Sequence, residues 1–422
     1  MQFGDRQEFI VQVLKNGITL RCHPMEVPFV NVRVLIPVGN VHSHTGNEAG
    51  ALGIAHFLEH MCFERSKLYP EKHAFERLLS SRGSDWNACT GPFATEFYMR
   101  TPAEDLIELL PGFLSHVFDP LLLEEDIDLQ RGIVRNERQQ RKYFPGDNEL
   151  GEYQFTKWMQ GRYFSKEQLF GDDAALAAFS HEQLSAFQQH YLSDQIEVLV
   201  GGTFDETAVR AALETIPTKP MHQLKEVRDE IGWANRSYHE ATFKDIDIPE
   251  YFWGGNTAQP NLDTWLFISF ITDYLTDANT GILTNWLRKE KGWSYGVSHA
   301  AWFAQDRIGW MVNMPVNDTD AVAAIRAELH ERVRTALADA DSVRTARIRV
   351  QKESRFLFET LASRLDTAGD FLVEFGEIMT ETYAKDWFEA HVNPTDLTAA
   401  YERLFSPKVT GEFLALPTTQ HS

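Results

Sequence analysis

Two runs near the start of the chain, FIVQVLKNGITLRCH and VPFVNVRVLIPVG, alternate apolar and polar positions as half-buried strands do. The Asn16-Gly17 pair interrupts the first run and predicts a hairpin. The period then lengthens to that of helices, over about residues 52–66 and 70–81, the second ending near Gly83, a suitable cap. SDWNACTG and TEFYMRT read as strands on either side of the Gly91-Pro92 turn, with helices following near 103–117 and 124–142. FSHEQLSAFQQHY opens with the capping pair Ser180 and Gln183 and leads into the strand IEVLVGG.

Residues 215–237 are polar, contain two prolines, and read as a linker between segments 1–214 and 238–422. Beyond it, TWLFISF reads as a strand, 279–291 as a helix, and WSYGVSHAAWF and IGWMVNMPV as strands, before helices take over from about 318 to 405. The two segments echo each other. SHEQLSAFQQHYLS and NPTDLTAAYERLFS, 213 residues apart, share Leu184/Leu397, Ala186/Ala399 and Ser193/Ser406, and each is a capped helix leading to a strand. The prediction is an α+β protein of two related α/β-sandwich halves, each a mixed or antiparallel sheet packed with helices.

Composition narrows the partners. At 422 residues the chain has room for two to three domains, and with 43% hydrophobic and 24% charged residues it can bury real cores. A formal net charge of -21 argues against nucleic acid and anionic membrane surfaces. Three scattered cysteines form no disulfide framework and no thiolate metal site, which fits a reducing compartment. No signal-peptide pattern and no apolar run of membrane-spanning length is visible, so a cytoplasmic location is the expectation.

The candidate chemistry lies in GIAHFLEHMCFE, Gly53 to Glu64. His56 and His60 are four residues apart, so a helix puts both imidazoles on one face, close enough to share an ion. Glu59 lies on nearly the same face, placed to take a proton from an attacking water. The pattern is HxxEH, the inverse of HExxH. A histidine pair on a helix is more often structural than metal-binding, but polar groups beside a packed apolar face need a partner or a purpose. A catalytic zinc site needs a third protein ligand. Glu137 follows one turn after Ile133 in DLQRGIVRNERQQR, a stretch whose Leu129, Ile133 and Val134 are expected to pack one way. Glu124, Glu125 and Glu149 compete with it on sequence grounds alone.

The HxxEH segment, the later NACTGPFATEFYMR, and the glutamate 77 residues after His60 resemble the pitrilysin/insulinase family of inverted-motif zinc peptidases. The resemblance is close over most of the first half and looser over the second. It implies one zinc per chain held by His56, His60 and Glu137, with Glu59 as general base. It implies that Asn87, Ala88, Cys89 and Thr90 form an edge strand that pairs with an extended substrate peptide. It also implies that Arg288 and Tyr295, seven residues apart in LRKEKGWSYGV, reach a zinc site to bind substrate carbonyls and steady the oxyanion. Outside the family, a surface arginine and a core tyrosine would be the ordinary reading of that pair. One position departs from the family pattern: a second glutamate commonly stands seven residues before the ligand glutamate, and here that position is Gln130. The implied protein is an endopeptidase of short or unfolded peptides, a homodimer or a partner of a paralogous subunit, closing around a chamber. Its rivals are a non-catalytic peptide-binding or structural subunit and a maturation peptidase dedicated to one precursor.

Overall fold

In the computed structural model the described residues are 8–43, 52–141, 150–160, 169–220, 238–258, 260–304 and 307–418. Two sheets organise them. The first contains β1 (Ile10–Val13), β2 (Thr19–Pro24), β3 (Phe29–Ile36), β4 (Asp85–Thr90), β5 (Thr95–Pro102) and β6 (Glu197–Gly202), in the order β1-β2-β6-β3-β5-β4. The second contains β7 (His239–Phe243), β8 (Glu250–Thr257), β9 (Ser298–Ala304), β10 (Arg307–Pro315) and β11 (Thr410–Pro417), in the order β7-β11-β8-β10-β9. Each has one parallel pair, β2 with β6 and β7 with β11, and is otherwise antiparallel. Apart from the extra edge strand β1, the two orders correspond strand for strand. The 213-residue offset carries β4, β5 and β6 onto β9, β10 and β11. The sandwich halves expected from the weak sequence echo are therefore present, with mixed sheets.

Each sheet has a main core on one face. In the first half, Val30, Val32, Val34 and Ile36 point from β3 toward α1 (Ile54–Cys62) and α3 (Leu106–Phe118). α2 (Ala74–Ser81) and α4 (Glu124–Gln140) complete that layer. The opposite faces are covered by an exchange. Helix Leu361–Phe375, far along in the second half, lays Leu361, Leu365 and Leu372 against Leu35 and Leu199 of the first sheet. α5 (Leu150–Gln160) lays Phe155 and Met159 against Phe252, Met311 and Phe413 of the second. These helices are themselves related by the 213 offset. The exchange explains why β3 is buried on both faces: Arg33 points to the crossing helix and pairs with Glu96 and Asp366. Gly201 makes the close approach possible, because a Cβ there would stand 2.7 Å from both the Leu361 and Leu365 Cδ1 atoms.

Three local expectations are corrected. TWLFISF is not a strand but part of helix Leu262–Thr276, capped by the Asn261 side chain, which accepts from Thr264 N–H. That helix is buried on nearly every side, so it lacks the polar positions that mark a helical period. Leu129 and Ile133 do not pack with Val134. Both are exposed, while the polar Gln130 is buried, because α4 turns its Gln130 face toward α1. WSYGV precedes β9 rather than joining it. The proposed linker lies mostly outside the described residues, as does Glu149. Among the described residues, no helix is long and apolar enough to cross a membrane.

Candidate metal centre and active site

Gly53 caps the start of α1 with a φ of +79°, which suits glycine. A Cβ there would lie 2.3 Å from the Gly171 backbone N, so this residue sets how closely α1 meets the segment carrying Phe170. Ile54, Ala55, Phe57, Leu58, Met61 and Cys62 are buried around the helix, and His56 and Glu59 are buried with them, at 6% and 8% exposure. Two polar side chains are thus held rigidly in an otherwise apolar helix.

α4 brings the third group. Glu137 Oε2 lies 3.5 Å from His56 Nε2 and 3.3 Å from His60 Nε2. The three ligand atoms all lie within 4.8 Å of one another, the one such group of three among the described residues. A tetrahedral zinc with bonds of about 2.0–2.1 Å requires ligand–ligand separations of about 3.3–3.4 Å. The donor set and the two histidine–glutamate separations therefore fit zinc. The rival glutamates are engaged elsewhere: Glu124 accepts from His181 N–H and Glu125 pairs with Arg65, both at the other end of α4.

The electrostatics agree with that fit. Burial pushes His56 down to about 3, helped by the neighbouring His60, so it is a neutral imidazole. The His60 hydrogen bond, with further help from His56 and Arg141, holds Glu137 at about 2. For His60, burial opposes the charge, but Glu137 and Glu59 outweigh it and raise the pKa. A field that draws positive charge onto an imidazole also draws a cation. Burial raises the Glu59 carboxyl, and the Thr90 hydroxyl, donating to Glu59 Oε2, works against that rise.

These groups line a cavity of about 630 Å³ that also includes Asn87, Ala88, Cys89 and Thr90 of β4, together with Gln130. Among the described residues β4 pairs only with β5, which leaves its outer edge open along the cavity. Sequence reasoning missed several lining residues: Phe63, Leu169 and Arg141 among them. Arg141 Nη2 lies 3.0 Å from Glu137 Oε1, and its i,i+4 spacing was the available signal. Arg288 and Tyr295 are not brought to this cavity. They stack on each other at 4.9 Å, and Tyr295 is 84% exposed, so it is no core tyrosine. In the second half, the repeat position of His60 is Asp273, and Arg349 stands one residue before that of Glu137. Arg349 Nη2 lies 2.5 Å from Asp273 Oδ2. An ion pair thus joins the two helices that in the first half carry the ligand trio.

The family model described as insulinase (peptidase family M16) matches residues 23–150, and that of the peptidase M16 inactive domain matches residues 178–348. An uncharacterized zinc protease of Rickettsia bellii is 26% identical over 208 residues, 48% of each chain. Protease 3 of Escherichia coli is 28% identical over 135 residues, 32% of this chain and 14% of that protein. The aligned region thus spans about half the length of the Rickettsia relative and far less of the longer one. Among solved structures, a protease from Helicobacter pylori superposes with a TM-score of 0.78 at 17% identity, over 97% of this chain and 99% of that one. Pitrilysin gives 0.71 at 17% identity over 99% of this chain and 46% of its own. These two likenesses speak for the fold. The two matched segments together take in well over half of the sequence, and the chain belongs to the insulinase family of peptidases, M16.

Proposed function

We propose that the chain is a zinc-dependent endopeptidase acting on short or unfolded peptides. The observation that carries this reading is the approach of Glu137 to His56 and His60, at 3.5 and 3.3 Å, with Glu59 buried on the helix of the two histidines. His56, His60 and Glu137 would hold one zinc. Zinc there would supply Lewis acidity, polarising a substrate carbonyl and lowering the pKa of a water toward about 7. Glu59 takes the proton of the attacking water and passes it to the departing amine. Thr90 holds the Glu59 carboxylate through its hydroxyl. The open edge of β4 pairs with the main chain of an extended peptide, which gives affinity with little sequence preference.

Arg288 and Tyr295 stand outside this chain's own cavity and one of them is almost fully exposed. They are therefore assigned to the site of a second copy, where their N–H and O–H groups donate to the developing oxyanion. A homodimer enclosing a chamber follows from that assignment. The same exposure supports a second reading, in which an isolated chain only binds peptides. Specific activity that falls on dilution, in step with dimer dissociation, separates the two.

Glu59→Gln tests the main reading. It keeps the zinc content and lowers cleavage of an unfolded peptide about 10²–10⁴-fold. Undiminished cleavage sinks the assignment. His60→Ala loses the metal, measured by elemental analysis.

A further inference from the structure

Gln130 stands where the family resemblance leads one to expect a carboxylate, and the structure puts a carboxylate directly behind it. His60 Nδ1 lies 3.0 Å from Gln130 Oε1, and Gln130 Nε2 donates to Glu64 Oε1 at 2.6 Å. Glu64 Oε2 lies 2.7 Å from Lys72 Nζ, which also reaches Asp126 Oδ1 at 3.0 Å, and Arg65 Nε lies 2.9 Å from Asp126 Oδ2. Gln130, Glu64 and Asp126 are all buried, at 6%, 6% and 2% exposure. Two acidic and two basic groups alternate along the row, which is what permits charge at this depth.

The row has a direction. A carboxylate held by an ammonium can only accept, so Gln130 must turn its N–H₂ to Glu64 and its oxygen to His60. An amide oxygen can only accept too, so Nδ1 of His60 carries a proton, and Nε2 is the nitrogen left for a metal once it gives up the proton it shares with Glu137. Without Glu64, the amide can reverse. Its N–H₂ would then face Nδ1 and favour the proton on Nε2, the tautomer that cannot bind a metal there. His56 has no equivalent support: among the described residues its Nδ1 has no hydrogen-bond partner.

We propose that Glu64, acting through Gln130, is the positioning residue that fixes the metal-binding tautomer of His60. The negative charge behind His60 thus sits one hydrogen bond beyond Gln130, on Glu64. This inference rests on the zinc reading above, but its test separates the two.

The experiment uses the full chain with ¹⁵N-labelled histidine. Imidazole nitrogen shifts of His60 are read in zinc-free protein at a pH high enough for the ring to be neutral, and zinc affinity is read by competition with a chromophoric chelator. The parent shows a single Nδ1–H tautomer. Glu64→Gln shows a mixture and weakens zinc 10–100-fold, the usual weight of an outer-shell partner. Gln130→Met, which cannot relay and leaves the Lys72–Asp126–Arg65 ion pairs in place, shows the same mixture, and so covers the case in which Glu64→Gln does not fold. The decisive variant is the exchange, Glu64→Gln with Gln130→Glu. The new carboxylate at 130 accepts directly from His60 Nδ1–H and the new amide at 64 donates to it, so the tautomer and zinc affinity return to within about threefold of the parent. A merely structural role would add the two losses instead of cancelling them. An unchanged tautomer in both single variants, or an exchange variant no better than the worse single, overturns the proposal. A parent that binds no zinc overturns the metal reading, while the nitrogen shifts still decide the tautomer.

Discussion

The contact between Gly201 and the crossing helix offers a sharp test of how the halves are joined. Leu365 is fully buried between its helix and the first sheet, with Gly201 directly opposite. Leu365→Ala removes three carbons from a site where the facing residue has no side chain to collapse into the gap. The loss should therefore fall in the upper part of the usual 2–5 kcal/mol for such truncations, about 4 kcal/mol. Gly201→Ala does the opposite. Its methyl would meet Leu361 and Leu365 Cδ1 at 2.7 Å and Leu365 Cδ2 at 3.3 Å, an overpacking cost of about 1–3 kcal/mol. In the double variant the methyl enters the space Leu365 has left. Only the Leu361 contact remains tight, so the double should be at least about 1 kcal/mol more stable than the sum of the singles. Urea unfolding of the four proteins, followed by tryptophan fluorescence, gives the cycle. Additivity within about 0.5 kcal/mol, or a neutral Gly201→Ala, would refute the reasoning that this glycine exists to admit the helix.

Gly53→Ala places its methyl against the Gly171 backbone at a positive φ, so it should displace the start of α1 and weaken zinc binding at least tenfold, measured by chelator competition. Burial pushes His330 down to about 4; the folded chain stays neutral there while the unfolded chain takes up a proton below pH 6.5. Stability is therefore full above pH 6.5 and is lost as pH falls toward 4, by up to about 3 kcal/mol, and His330→Phe should flatten the urea-midpoint profile across that window. Thr90→Val leaves the Glu59 carboxylate without its hydroxyl donor. It should lower kcat about tenfold with zinc content unchanged, and parent-like kcat would remove Thr90 from the site. Tyr295→Phe should reduce activity in homodimers, and mixing it with Glu59→Gln chains should restore part of it, since the mixed dimer keeps one intact set. No restoration argues against sharing across copies.

What the sequence could reveal depended on the range of the signal. His56, Glu59 and His60 are one helical turn apart, so local periodicity was enough to bring them together. The repeat showed through helix caps and strand order, because Ser180 and Asn393 cap equivalent helices with their own side chains. TWLFISF failed because a helix buried all round has no polar stripe. β8 went unnoticed because Gly254 and Gly255 break its alternation. Leu129 and Ile133 misled because the buried side of α4 carries Ile127 and Val134 together with the polar Gln130, and leaves those two residues outside. Glu64 could not be read at all: its role depends on Gln130, 66 residues away, and on which end of an amide faces it. Nothing local announces that helix Leu361–Phe375 will cover a sheet built mostly from the first hundred residues.

The Asp273–Arg349 pair gives the two halves different vulnerabilities. One helix-pair scaffold is clasped twice, by three groups that could hold a cation in the first half and by fixed opposite charges in the second. With zinc in place, the first clasp yields to a chelator and is indifferent to moderate salt. The second is unaffected by chelators and loosens as ionic strength rises, though its partial burial blunts the screening. Because each half also lends a helix to the other, loosening either clasp should be felt across the exchange. On the zinc reading, the duplication thus leaves the molecule with two reagent-specific handles, one in each half.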